Sequence, residues 1–173
     1  MFTIPEWAKL ETAEVNYDPD LLVHYRFDGR DGSYRMADEI AEDLIVQPIA
    51  FRDNYSERFG LEPQTWFDLA MVDESDRVAI LSVKKASANK LKSFFQLLAQ
   101  VGIAPQAIKV VLLTTEVRIK RETAPNTNQY VDDSYFAVLA DEDYSFVEPE
   151  RFQLVEAIAQ KFQFPRIGGL GYA

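Results

Sequence analysis

Apolar and polar residues alternate over residues 21–27: Leu21, Val23, Tyr25 and Phe27 fall on one face, His24 and Arg26 on the other. That period of two predicts a half-buried strand. The DGRDGS stretch at 28–33 is rich in turn formers and predicts an exposed loop. Residues 44–51 (LIVQPIAF) predict a second strand. Pro48 cannot donate to a ladder, so this strand should lie at an edge or carry a bulge. Residues 66–72 and 78–84 are apolar runs joined by the polar DESDR segment, which predicts a hairpin.

The period then changes. Leu91, Phe94, Phe95, Leu98 and Val101 recur at helical spacing and predict a helix over 87–101, with Ser87 as its cap, Gly102 as its stop and Pro105 just beyond. Lys90 and Lys92 lie off the apolar stripe and should be solvated. Residues 108–122 predict a long strand bent near Thr114 and Thr115, followed by a polar loop and a returning strand over 130–140. Glu148 and Pro149 open a C-terminal helix with Phe152, Val155, Ala159 and Phe162 on its apolar side. Residues 1–20 read as an N-terminal extension, 21–163 as one globular domain and 164–173 as a glycine-rich tail.

The core order is three strands, a helix and two strands, in a strand-rich α+β domain. That order, with a long polar loop between the last two strands, resembles OB-fold single-strand nucleic-acid-binding proteins. The resemblance covers a little over half the chain and rests on element order, with no residue motif. It implies an OB-like five-stranded barrel with a helix between strands three and four, and non-catalytic binding of single-stranded nucleic acid.

Composition narrows the chemistry. The 173 residues contain no cysteine, which excludes disulfides and thiolate chemistry. No apolar run is long enough to span a bilayer and the first residues do not form a secretory signal, so a soluble cytoplasmic protein without membrane contact is expected. The net charge is −10 but unevenly spread: residues 1–82 carry −11, residues 83–121 carry +7, and residues 122–150 hold eight acids and no base. The basic block opens with SVKKASANKLKS and closes at Arg121.

Phosphates attract Lys and Arg, and single-strand binders add rings on which bases stack. Lys84, Lys85, Lys90, Lys92, Arg118, Lys120 and Arg121 are therefore the candidate phosphate contacts, with Trp66 and Tyr130 as candidate stacking residues. The same cations could instead form a solvated face. They could also pair with Asp132-Asp133 and Asp141-Glu142-Asp143, within one chain or between two, which would make the chain a protein-interaction or self-assembling module.

Enzyme motifs are incomplete. His24 is the only histidine and lies on a polar strand face. Ser82 to Lys85 and Ser87 to Lys90 match S-x-x-K, but the companion motifs of serine acyl-enzymes are absent. Asp68 or Asp73 with Lys84 has the hairpin setting of a divalent-metal nuclease, yet Ser82 stands where the second carboxylate belongs. Asp38, Glu39, Glu42 and Asp43 cluster without EF-hand spacing. No cofactor motif occurs, so no cofactor or metal is expected.

Overall fold

The computed structural model describes residues 22–164. Its strands are β1 (Val23–Asp28), β2 (Ser33–Met36), β3 (Glu39–Ala41), β4 (Leu44–Ser56), β5 (Gln64–Val72), β6 (Val78–Val83), β7 (Ile108–Glu122), β8 (Tyr130–Ala140) and β9 (Ser145–Phe146). Helix α1 (Lys85–Gln100) separates β6 from β7, and α2 (Pro149–Lys161) follows β9. The sheet runs β3-β2-β1-β6-β5-β4-β7-β8, with β9 on β7; β1 lies parallel to β6 and the remaining ladders are antiparallel. The N-terminal extension of residues 1–20 and nearly all of the predicted tail lie outside the described residues.

The sheet curls because its two ends are drawn together. The Phe136 amide of β8 donates to the Gly29 carbonyl in the β1–β2 turn at 2.7 Å, and the Tyr34 hydroxyl of β2 donates to the Leu113 carbonyl of β7 at 2.8 Å. Gly32 turns this corner at a φ of 72°, and a side chain there would meet the Phe136 ring at 3.0 Å. Glycine meets both conditions without strain. Helix α1 fills the resulting concavity. Its stripe Leu91, Phe94, Phe95 and Leu98 is buried with Phe67, Leu69 and Met71 of β5, Leu81 of β6, Val110 and Leu112 of β7, and Val138 and Ala140 of β8. Each of these side chains larger than alanine contributes roughly 1.5–3 kcal/mol on leaving water.

The outer face of the sheet is divided. Val155, Ile158 and Ala159 of α2, with Phe162 beyond it, cover Ile49, Ala70, Val72 and Val78. Arg151 fastens α2 in place: its Nε donates to Gln47 Oε1 at 2.8 Å and its Nη2 meets Asp76 Oδ1 at 2.7 Å. The next row of the same face is ionic. Phe164, past the end of α2, touches the edge of that row, with the Arg52 guanidinium 4.5 Å from the centre of its ring.

The strand-rich α+β class agrees with the sequence pattern, and β7 and β8 have their predicted bounds. The proline in β4 marks a register shift between Pro48 and Ala50, the irregularity its missing donor required. Five features differ. Val101, predicted to continue the buried stripe of α1, is the residue that ends the helix and is 61% exposed. The sheet holds more strands than the five of the predicted barrel: the second edge of β6 pairs with β1, which brings β2 and β3 with it. The stretch after β1, expected as a loop and an acid cluster, supplies β2 and β3, because a short hairpin needs only a few alternating positions. Strand β4 continues to Ser56 through the polar RDNYS segment, which pairs along β5. Ser87 is not the cap of α1. The helix starts at Lys85 with no side-chain cap, and the Ser87 hydroxyl accepts the Val138 amide at 2.9 Å.

One buried carboxylate gives the fold an acid limit. Asp73, at the β5–β6 turn, accepts from the Ser75 amide at 2.9 Å, the Arg77 amide and Nε at 3.0 Å each, and the Tyr25 hydroxyl at 3.0 Å. Burial pushes its carboxyl up, but the hydrogen bonds from Arg77 and Tyr25 outweigh burial and hold it below the ordinary 3.8. Its contribution is thus present above that value and lost as pH falls through the lower folded one. Urea unfolding of D73N should show a deficit at neutral pH that disappears under acid conditions. A deficit of equal size at both pH values would contradict this.

Candidate functional site

Strand register builds one row of polar residues across five strands. Arg35 of β2 faces Arg26 of β1, Arg26 faces Ser82 of β6, Ser82 faces Asp68 of β5, and Asp68 faces Arg52 of β4. Opposed residues in a ladder share a face, so these five side chains stand side by side on the outer surface, just beyond the part under α2. Asp68 is fully buried. A charge taken from water must be paired and hydrogen-bonded, and the β4–β5 loop supplies the partner.

That partner is Arg58, also fully buried. It binds Asp68 in bidentate fashion, with Nη1 on Oδ1 and Nη2 on Oδ2, the latter at 2.9 Å. Its Nη1 also donates to Ser82 Oγ at 3.0 Å and its Nε to Ser56 Oγ at 2.9 Å. Ser82 Oγ donates to Asp68 Oδ1 at 2.8 Å, and Arg52 Nε reaches Oδ2 at 3.2 Å. The loop reaches this position through a tight turn. Phe59 and Gly60 have φ of 56° and 71°, and the Leu61 amide donates to the Arg58 carbonyl at 3.0 Å. Left-handed backbone at a phenylalanine costs of order 1 kcal/mol or more. The Arg58 ion pair holds it, and the ring of Phe59 is thereby set edge-on to Trp66 with centroids 5.4 Å apart.

The remaining cations crowd around this anchor. The Arg26 guanidinium lies over the Phe59 ring at 5.1 Å, and the Lys84 ammonium lies over the Trp66 ring at 5.4 Å. Burial first, and then the charges of Lys85 and Arg26, hold Lys84 below the ordinary lysine value. Arg26, Lys84 and Lys85 form no ion pair with any described residue. Lys84 and Lys85 also sit at the start of α1, where the first turn has neither a capping side chain nor an acid. The amino end of a helix dipole repels cations by about 0.3–1 kcal/mol each and attracts anions.

The basic block of the sequence is therefore dispersed. Lys84 and Lys85 belong to the cluster just described. Lys90 lines a groove of about 510 Å³ between α1 and the end of β8, together with Glu142. Lys92, expected to be solvated, is paired with Asp53 of β4 at 2.7 Å. Arg118, Lys120 and Arg121 stand on the outer half of the β7–β8 hairpin, where Lys120 faces Asp132 and Arg121 meets Asp133 at 3.5 Å. A shallow concavity of about 440 Å³ there is lined by three acids and two bases. Trp66 is only 3% exposed and its Nε1 donates to the Ser56 carbonyl at 3.2 Å, so a base has no access to stack on it. Tyr130 is 58% exposed, at the start of β8.

Arg26, Arg52, Arg58 and Phe59 were not foreseen in this role. Arg26 carried a signal, since it falls on the polar face of an alternating strand; Arg58 and Phe59 carried none. The nuclease arrangement meets an obstacle in Asp68, whose oxygens are taken by two arginines and a serine. Among the described residues no three His, Asp or Glu side chains converge as a metal site requires. No helix among them is long and apolar enough to cross a membrane. Compared with known proteins, the chain matches no family model, no curated protein and no solved structure.

Removing one member of a buried ion pair costs about 3–5 kcal/mol, because the other is left charged and unpaired. R58M should lose stability on that scale in urea unfolding, whereas R58M/D68L should recover most of it. A double variant no better than the single one would show that the charge pairing is not what holds the loop.

Proposed function

We propose that the protein binds single-stranded nucleic acid at the outer face formed by Arg26, Lys84 and Lys85. The observation that carries this reading is the crowding of three cations without carboxylate partners among the described residues, on a chain of net charge −10, at an uncapped helix start. Like charges held together cost free energy, and an incoming phosphate removes that cost. Phe59, whose ring lies under the Arg26 guanidinium, adds an aromatic group to these cations, a combination common at single-strand sites. The succession of β4, β5, β6, α1, β7 and β8 is compatible with an OB-like origin, in which the outer face of the second and third strands and their preceding loop carry the ligand. Here those elements are β5, β6 and the loop bearing Arg58 and Phe59.

Because the chain as a whole is acidic, binding is local and sensitive to salt. Three phosphate contacts give a slope of about −2 in log K against log salt for a single strand. In anisotropy titrations of a labelled oligonucleotide at low salt, single-stranded DNA or RNA should bind and duplex should bind more weakly. Each alanine variant of Arg26, Lys84 or Lys85 should reduce the slope by about 0.7, whereas K120A, whose charge faces Asp132, should leave it unchanged. Absence of binding to either single strand at low salt would remove the reading. So would a loss in K120A equal to that in K84A.

A further inference from the structure

Beyond Thr115 on β7, and before Tyr135 on β8, the outer half of the β7–β8 hairpin is mostly exposed. The ladder register sorts its residues onto two faces. Glu116, Arg118 and Lys120 lie with Asp132 and Ser134 on one; Val117, Ile119 and Arg121 lie with Val131, Asp133 and Tyr135 on the other. The second face is apolar or aromatic except for the Arg121–Asp133 pair. Ile119 and Val131 on it are 41% and 39% exposed. A two-stranded ribbon by itself is marginal in water, and it gains stability when an apolar face is covered.

We propose that this ribbon is a self-association arm, and that its apolar face packs on the same face of a second copy. The charge pattern selects that occupant. The face carries one cation and one anion, so it offers no net attraction to a polyanion, and a basic partner would be drawn to more acidic surfaces of this chain. Two copies with a net charge of −10 each repel in bulk and meet most easily where their surfaces are locally neutral. A two-fold axis makes any contact reciprocal, so Arg121 of each copy meets the Asp133 of the other while Val117, Ile119, Val131 and Tyr135 leave water. The proposal is independent of nucleic acid binding.

Sedimentation velocity on the full chain over a wide dilution series tests it. The wild type should form a dimer, and I119D should be monomeric. R121D makes this face acidic in both copies and D133R makes it basic in both, so each alone should be monomeric. An equimolar mixture of R121D and D133R should recover the dimer, because each then supplies the charge the other lacks. Far-UV circular dichroism shows whether each variant keeps its strands. A monomeric wild type, a dimer that persists in I119D, or a mixture that stays monomeric would each overturn the proposal. Oligonucleotide titration of I119D separates the two readings: binding retained by a monomeric I119D leaves the arm as an assembly surface alone, whereas binding lost by an I119D whose mass is unchanged from wild type places nucleic acid on the ribbon and overturns it.

Discussion

The carboxylate of Asp68 constrains the outer face of this sheet. It is buried in the middle of β5, and its charge is tolerated only because Arg58, Arg52 and Ser82 converge on it from a loop and two neighbouring strands. The interaction need not add net stability, since desolvation of both ions offsets much of the Coulombic attraction. What it provides is position. It draws the β4–β5 loop onto the sheet, fixes the left-handed turn at Phe59, and sets the ring against which Arg26 rests.

From that anchor the two sides of the sheet acquire different tasks. The concave side encloses α1 and holds most of the apolar core. The outer side is apolar under α2 and ionic beside it. Lys84 stands at the junction, between the end of β6 and the start of α1, so the uncapped helix terminus and the polar row meet at one residue. Pairing of β1 with β6 brings Arg26 there, although the two strands lie far apart in sequence.

Regional charge proved a poor guide to local charge. The block from Lys84 to Arg121 is basic when summed along the chain, yet Lys92, Lys120 and Arg121 each face an acid supplied by another element. Conversely Arg26 and Arg58 lie in the acidic first part of the sequence, and the fold sets them beside the lysines that open the basic block. A strand carries its residues alternately to two faces, so charges adjacent in sequence separate, and charges on distant strands meet.

Short-range periodicity was enough to specify the β5–β6 hairpin, the stripe that buries α1, the proline irregularity in β4, and the limits of β7 and β8. Spacing of apolar residues and the stereochemistry of proline and glycine act within a few residues, so they are legible without a partner. The parallel docking of β1 on β6, the row from Arg35 to Arg52, the burial of Trp66 and the pairing of the hairpin charges are of another kind. Each depends on which strands become neighbours. That choice is made by the whole core closing around α1, and no local pattern encodes it.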